Sequence, residues 1–342
     1  MKRNIFWVVM LVVVLAIWSY SDLISYGIMQ GKGQLKVLVG ARPITEFLQS
    51  ADYPDSLKAR LRLIQEVRNY GFDHLGIFKN DNYTKMYDQQ GKPTLWVLSA
   101  CKPYELSPRE WRFPLIGSFP YKGFFELDKA RAERRRLDSL GLDTNLRVVS
   151  AWSTLGWFSD PVMSNFLNNN EGQLTELILH ELTHGTLFVK DSVTFNENLA
   201  TFIGHQGAIR FLSEKYGNNS APYRKYIAEW TDERKFSNYM LSAAHQLDSV
   251  YQQFPEQMPE QQRNALKQAM IQQIVDRMDT VSFSGASRFR TYFKKHLPNN
   301  AFFMSFVRYK EYFDVLEQEL NAKYGGDVER MLEDYKQKYP SM

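Results

Sequence analysis

His180-Glu181-Leu182-Thr183-His184, followed after a short connection by Asn196-Glu197-Asn198-Leu199-Ala200, is the stretch on which the reading of this chain turns. Leu174, Leu177, Ile178 and Leu182 recur at 3–4 spacing, with Leu187 following the pentad, so it lies inside an amphipathic helix. Residues four apart on a helix share one face, which stacks His180 over His184. Two imidazoles held that way suit Zn²⁺, which favours nitrogen donors in tetrahedral geometry. Glu181 lies about 100° round the helix from His180, where a general base for a zinc-bound water belongs. With six histidines in 342 residues, this composition would produce such a pentad by chance in roughly one of 150 chains. The bland reading is a pair of surface histidines with an incidental glutamate.

A catalytic zinc needs a third protein ligand and one open position. Glu197 is the candidate. It belongs to a second helical pattern (Phe195, Leu199, Phe202, Ile203), and the chain from Gly185 to Asn196 must bring it back. One further helical turn to about Val189, a polar turn at Lys190-Asp191-Ser192 and a new helix would do so. The competing reading is a capping box at Thr194-Phe195-Asn196-Glu197, in which Glu197 only satisfies backbone N–H groups. His205, two turns beyond Glu197, reads as a packed histidine or as support for the ligands.

H-E-L-T-H with a downstream N-E-x-x-A resembles the gluzincin class of zinc peptidases. More closely, the chain resembles a bacterial envelope family of predicted zinc aminopeptidases, many of whose members are lipoproteins. The likeness is carried by Gly33-Gln34-Leu35 with Ala41-Arg42-Pro43-Ile44, by Trp111 to Phe125 (WRFPLIGSFPYKGFF), and by Ser153-Thr154-Leu155-Gly156-Trp157-Phe158 with Asp160-Pro161. His180 to His184 and Phe195 to Phe202 complete it; it runs from about residue 30 to 210 and weakens beyond. The resemblance implies His180, His184 and Glu197 as ligands and Glu181 as base. Two departures stand out: the N-terminal lipid-attachment cysteine of many relatives is absent, and Arg112 and Ser118 occupy the W-x-F-P segment, where a cysteine pair is common.

Lys+Arg exceed Asp+Glu by 42 − 38 = 4 with no basic block, which argues against a nucleic-acid partner. The single Cys101 excludes an internal disulfide, and 44% apolar residues can build a core without one. At the N-terminus Lys2 and Arg3 precede fourteen unbroken apolar residues, Ile5 to Trp18, the pattern of an export signal. Trp18 and Tyr20 suit an interfacial aromatic belt better than a cleavage site. Fourteen residues span about 21 Å as helix, so Ser19, Tyr20 and the Leu23-Ile24 turn must complete a membrane anchor. The positive-inside rule leaves Lys2 and Arg3 cytoplasmic and the rest on the periplasmic side.

Onward from there, residues 22–50 read as helix broken at Arg42-Pro43, and Ser56 to Tyr70 as an amphipathic helix. Thr94 to Ala100 reads as a buried strand, Trp111 to Phe125 as a strand pair turning at Gly117 or Pro120, and Asp128 to Leu140 as a charged helix. Its Arg134-Arg135-Arg136 run reads as a solvated face. Arg147 to Phe158 supplies strand material just before the metal helix. An exposed strand edge there would bind an extended peptide through backbone groups near Leu155 and Gly156, the substrate-binding candidates. From Ala208 the chain reads as helices: Tyr223 to Phe254, Pro259 to Met278, Asn300 to Leu320 and Val328 to Tyr339. Tyr309, with Arg308, is a candidate donor to a developing oxyanion.

The fold class expected is therefore α+β and gluzincin-like. It comprises a small mixed sheet with an edge strand beside the H-E-x-x-H helix, then a mostly helical C-terminal region, with an N-terminal membrane helix. Three regions follow: a signal anchor or signal peptide over 1–28, an α+β region over 29–165, and zinc-binding helices with the helical C-terminal region over 166–342. The function expected is zinc-dependent hydrolysis of peptides outside the cytoplasm, with Glu181 as base; the aminopeptidase label comes from the family resemblance. The alternative is a membrane-tethered, non-proteolytic envelope protein whose zinc site is structural or vestigial, conscripting Asn196, His205 or Asp191 as a fourth ligand.

Overall fold

The computed structural model describes residues 20–113, 117–149, 158–284, 297–310 and 312–339, together with Trp7, Met10 and Phe293. The first element described throughout is α1 (Ser21–Gly40), which Ala41 ends in extended conformation ahead of β1 (Arg42–Pro43). The break comes at Arg42-Pro43 because a residue before proline is pushed out of the helical region. A short α2 (Ile44–Gln49) and the long α3 (Asp55–His74) follow. Leu61, Ile64 and Val67 of α3 are fully buried, at the spacing that defined the helix in sequence.

The strands form three small sheets. β1, β2 (Lys85–Tyr87) and β8 (Val162–Met163) make a mixed sheet, antiparallel at β1–β2 and parallel at β2–β8. β3 (Trp96–Cys101) is central in an antiparallel sheet between β6 (Lys122–Phe124) and β7 (Asp143–Val148). β4 (Trp111–Phe113) and β5 (Gly117–Phe119) form a hairpin. The strand pair expected over Trp111 to Phe125 is thus three short strands in two sheets. Gly117, the first residue of β5, stands at φ +88°, in the region that favours glycine. Between β6 and β7 lies α4 (Leu127–Ser139), where Arg136 pairs with Glu133 at the surface as the solvated reading expects.

The described residues beyond β8 are mostly helical: α5 (Glu171–His184), α6 (Val193–Tyr216), α7 (Ala221–Gln252), α8 (Glu260–Arg277), α9 (Asn300–Lys310), α10 (Phe313–Tyr324) and α11 (Val328–Lys338). The single helix expected over Asn300 to Leu320 is two, because the N–H of Tyr312 leaves the helical ladder to bond Asn198 Oδ1 on α6 at 3.1 Å. The principal core gathers Val37 of α1, Leu61 and Ile64 of α3, Leu179 and Leu182 of α5, Phe202 of α6, Phe313 of α10 and Leu332 of α11. A second cluster joins α7, α8 and α9 through Met240, Leu247, Ile271 and Phe303.

One buried polar hub ties that second cluster to the antiparallel sheet. Lys267 Nζ of α8 lies 2.7 and 2.6 Å from the two carboxylate oxygens of Asp143 on β7, and the N–H of Asn300 donates to the same carboxylate at 2.8 Å. Asn300 also donates to the Lys102 carbonyl and accepts from Tyr251 Oη. Cys101 is buried beside this hub, and burial together with Asp143 pushes its thiol up to about 12, so it is inert. Replacing Lys267 with Met strands a buried carboxylate. The expected cost is about 3 kcal/mol, the lower end for a broken buried pair because the Asn300 N–H still faces Asp143. Urea unfolding of the variant checks this, and the double change with Asp143→Leu should regain most of the loss.

Among the described residues, no helix is long and apolar enough to cross a membrane. The anchor expected over Ile5 to Trp18 falls outside the described residues, save Trp7 and Met10. Residues 21–28, which that expectation added to the anchor, are the first turns of α1. There Tyr26 Oη and Gln30 Nε2 both donate to the Gly123 carbonyl of β6.

Candidate metal centre

α5 begins at a capping box. Asn170 Oδ1 accepts from the Gln173 N–H at 3.0 Å, and Gln173 Oε1 accepts from the Asn170 N–H at 3.4 Å. The helix then buries Leu174, Ile178, Leu179 and Leu182, which turns His180 and His184 toward α6. It ends at His184, a full turn before the expected Val189. The N–H groups of Thr186 and Leu187 both fold back onto the Thr183 carbonyl, so Leu187 joins the core from outside the helix.

The return of the chain is fixed by Asn196. Its side chain accepts from the Val189 N–H at 2.9 Å and donates to the Val189 carbonyl at 2.8 Å, closing the α5–α6 connection like a backbone ladder pair. Asp191, at φ +56°, accepts from the Ser118 N–H at 2.8 Å and docks that connection against β5. A Cβ on Gly117 would fall 2.4 Å from the same carboxylate, so the hairpin approaches only because residue 117 lacks one. Asn196→Ala would leave the partly buried Val189 N–H without its partner and its carbonyl with only the longer bond from the Ser192 N–H. The expected loss is about 2 kcal/mol of stability, checked by thermal melting, with a weakened metal site measured alongside.

α6 starts at Val193 after Ser192, whose side chain makes no capping bond, so the capping box at Thr194 to Glu197 does not form. Glu197 lies within the helix and faces the two imidazoles. His180 Nε2 and His184 Nε2 are 3.1 Å apart, and Glu197 Oε2 is 3.6 Å from each. Donors about 2.0–2.1 Å from one tetrahedral zinc lie about 3.3 Å from one another, so these separations fit a single small cation. Among the described residues His184 Nδ1 is buried with no hydrogen-bond partner, while Nε2 is the atom that faces His180 and Glu197. Burial disfavours the charged form of Glu197, yet the two imidazoles outweigh it and hold the carboxyl well below the usual range. Burial likewise opposes protonation of His184, and contact with Glu197 more than offsets it. Glu181 is raised above the usual carboxylate range, chiefly by burial.

Several supporting residues carry no signal in the motif. Thr201 Oγ1, one turn beyond Glu197, lies 3.5 Å from His180 Nδ1; its i+4 spacing from a ligand is the one clue that could have found it. Gly204 is where α6 touches α5: a Cβ there would be 2.9 Å from the Glu176 carbonyl and 3.3 Å from His180 Cβ. The segment from Phe78 to Tyr83 lies along the end of α5, with the Phe78 N–H donating to Thr186 Oγ1. Tyr83 is fully buried at φ +62°, and its N–H bonds the Asp160 carbonyl at 2.7 Å. Burial, with the charges of Glu181 and Asp160, raises its phenol.

The other expected residues fall elsewhere. His205 is packed flat on Trp230, ring centroids 3.6 Å apart, with Nδ1 2.8 Å from Tyr226 Oη. Leu155 and Gly156 lie outside the described residues, as do the side chains of Arg308 and Tyr309. Among the described strands β7, which ends at Val148, pairs with β3 alone. A family model described as “Putative aminopeptidase” matches residues 25–339, reaching well past the stretch that carries the sequence likeness. No curated protein and no solved structure matches the chain.

Proposed function

The chain belongs to this aminopeptidase family, and from that premise we propose that it is a zinc-dependent peptidase of gluzincin type acting outside the cytoplasm. What carries the reading is the convergence of His180 Nε2, His184 Nε2 and Glu197 Oε2 within 3.1–3.6 Å. Two imidazoles and one carboxylate are a donor set that a catalytic zinc takes, with a coordination position left for water or substrate. Zn²⁺ held there would supply Lewis acidity, acidifying a water and polarising the scissile carbonyl. Glu181 accepts the proton from the attacking water and passes it to the departing amine. Backbone groups at Leu155 and Gly156 align an extended peptide along the strand edge. The apolar run from Ile5 to Trp18 tethers the protein, leaving the catalytic region on the periplasmic side.

The non-proteolytic alternative, a structural zinc, requires a fourth protein ligand. Each residue that might be conscripted is committed elsewhere: Asn196 to the Val189 backbone, His205 to Tyr226 and Trp230, Asp191 to the Ser118 N–H. Among the described residues, only His180, His184 and Glu197 group as metal ligands. The deciding experiment is metal analysis of the purified chain combined with a peptide screen in which each substrate carries a free or a blocked amine. One equivalent of zinc with cleavage confined to free amines supports the aminopeptidase. Equal cleavage of both makes it an endopeptidase, and tight zinc without hydrolysis of any peptide overturns the enzyme reading.

A further inference from the structure

α1 carries an apolar face that is exposed among the described residues. Ile24, Ile28, Leu35 and Val39 are 43, 68, 61 and 76% exposed. At 100° per residue these four fall within an arc of about 60°, along roughly 22 Å of helix. Gly31 lies about 20° outside this arc and Gly27 about 60° outside it; a Cβ on either would meet nothing within 4 Å. Tyr20, 60% exposed, stands at the N-terminal end of this stripe, and the exposed Lys32 and Lys36 line one side of it. The opposite face is fixed to the protein: Tyr26 and Gln30 bond Gly123, Gly33 abuts the Phe125 ring, and Val37 enters the principal core with Leu179 and Leu182 of the metal helix.

We propose that this stripe of α1 lies in the interfacial layer of a lipid bilayer and sets the orientation of the metal centre relative to the membrane. The argument rests on continuity of the chain. The fourteen apolar residues Ile5 to Trp18 end two residues before α1 begins, so any bilayer that receives them meets the stripe next. An apolar face flanked by lysines, with an aromatic at its membrane-proximal end, has the make-up of a helix lying at the headgroup boundary. Lys32 and Lys36 would lay their stems along the apolar surface and keep their ammonium groups at the phosphates.

Two other occupants fit less well. A second copy would need roughly 800 Å² per partner for a standard interface, whereas the five exposed side chains offer on the order of 500 Å². The chain's own N-terminal segment would have to reverse at Ser19-Tyr20, which lacks glycine or proline. Tyr20, at φ −104° and ψ 12°, instead leads into α1, and Trp7 and Met10 are themselves exposed.

The test places an environment-sensitive fluorophore on the full chain at Ile28→Cys, Leu35→Cys or, as control, Gln262→Cys on α8; Cys101 is buried and stays unlabelled. Each is incorporated into phosphatidylcholine–phosphatidylglycerol vesicles with brominated acyl chains. The expected result is at least threefold stronger quenching by the brominated lipid at 28 and 35 than at 262, with iodide quenching reversed. Labels at 28 and 35 that iodide reaches as readily as 262 overturn the proposal, as does failure of the chain to associate with vesicles. Disulfide-linked dimers through 28 or 35 assign the face to a second copy. Shielding from both quenchers assigns it to the N-terminal segment. Because no step uses catalysis, the outcome is independent of whether the peptidase reading holds.

Discussion

Glu181→Gln is expected to keep zinc at full stoichiometry and to lower turnover about 10³-fold, within the 10²–10⁴ that a positioned general base contributes. The amide copies the shape of the carboxylate but cannot accept the proton. Glu181 is only 9% exposed, so bulk water does not readily substitute for it. Stability should hold or rise slightly, since the change removes a buried ionisable group. Steady-state kinetics on the best peptide of the screen, with metal content measured on the same sample, checks the expectation. A variant of wild-type activity would show that Glu181 is not the base.

Glu197→Ala separates two roles that the sequence left open. If Glu197 is a ligand, the variant should lose zinc affinity by at least about 10²-fold, more than is typical for a residue that merely supports a ligand, and activity should vanish. The helix should survive, because Glu197 is interior to α6 and alanine is the best helix former. If Glu197 were a capping residue, the same change would cost about 1 kcal/mol of stability and leave the metal untouched. Zinc affinity by competition with a chromogenic chelator, alongside the melting temperature, distinguishes the two.

The metal helix was legible because its signal is local and doubled: an apolar stripe sets the face, and two histidines share it. Its end was not. Leu187 lies five residues past Leu182, off the stripe, and nothing in the sequence shows that the Thr186 N–H shares the Thr183 carbonyl with the Leu187 N–H and that the helix closes at His184. The start of α6 was legible in the polar turn Lys190-Asp191-Ser192, directly after which Val193 opens the helix. The competing capping box had the right spacing, but Thr194 and Glu197 lie inside the helix, and Asn196 spends its side chain on the Val189 backbone. Long-range bonds lie wholly beyond sequence reading. Asn198 bonds Tyr312 across 114 residues and splits one expected helix into two. Lys267 finds Asp143 across 124 residues, and neither residue stands out in its own segment. Tyr83 carries no such signal: its left-handed backbone and its burial near Glu181 follow only from the fold.

Gly204 determines more than a helix crossing. It stands two turns along α6 from Glu197, so an added methyl there would act on the cage as a wedge acts on a hinge. The Glu176 carbonyl cannot yield at 2.9 Å, and relief would come from the helices parting. The carboxylate would then retreat from both rings without any donor having been altered. The calibre of the cage is in this sense written in an atom the chain omits. A lineage that lost this glycine could keep every histidine and glutamate of the motif and still be unable to grip its ion.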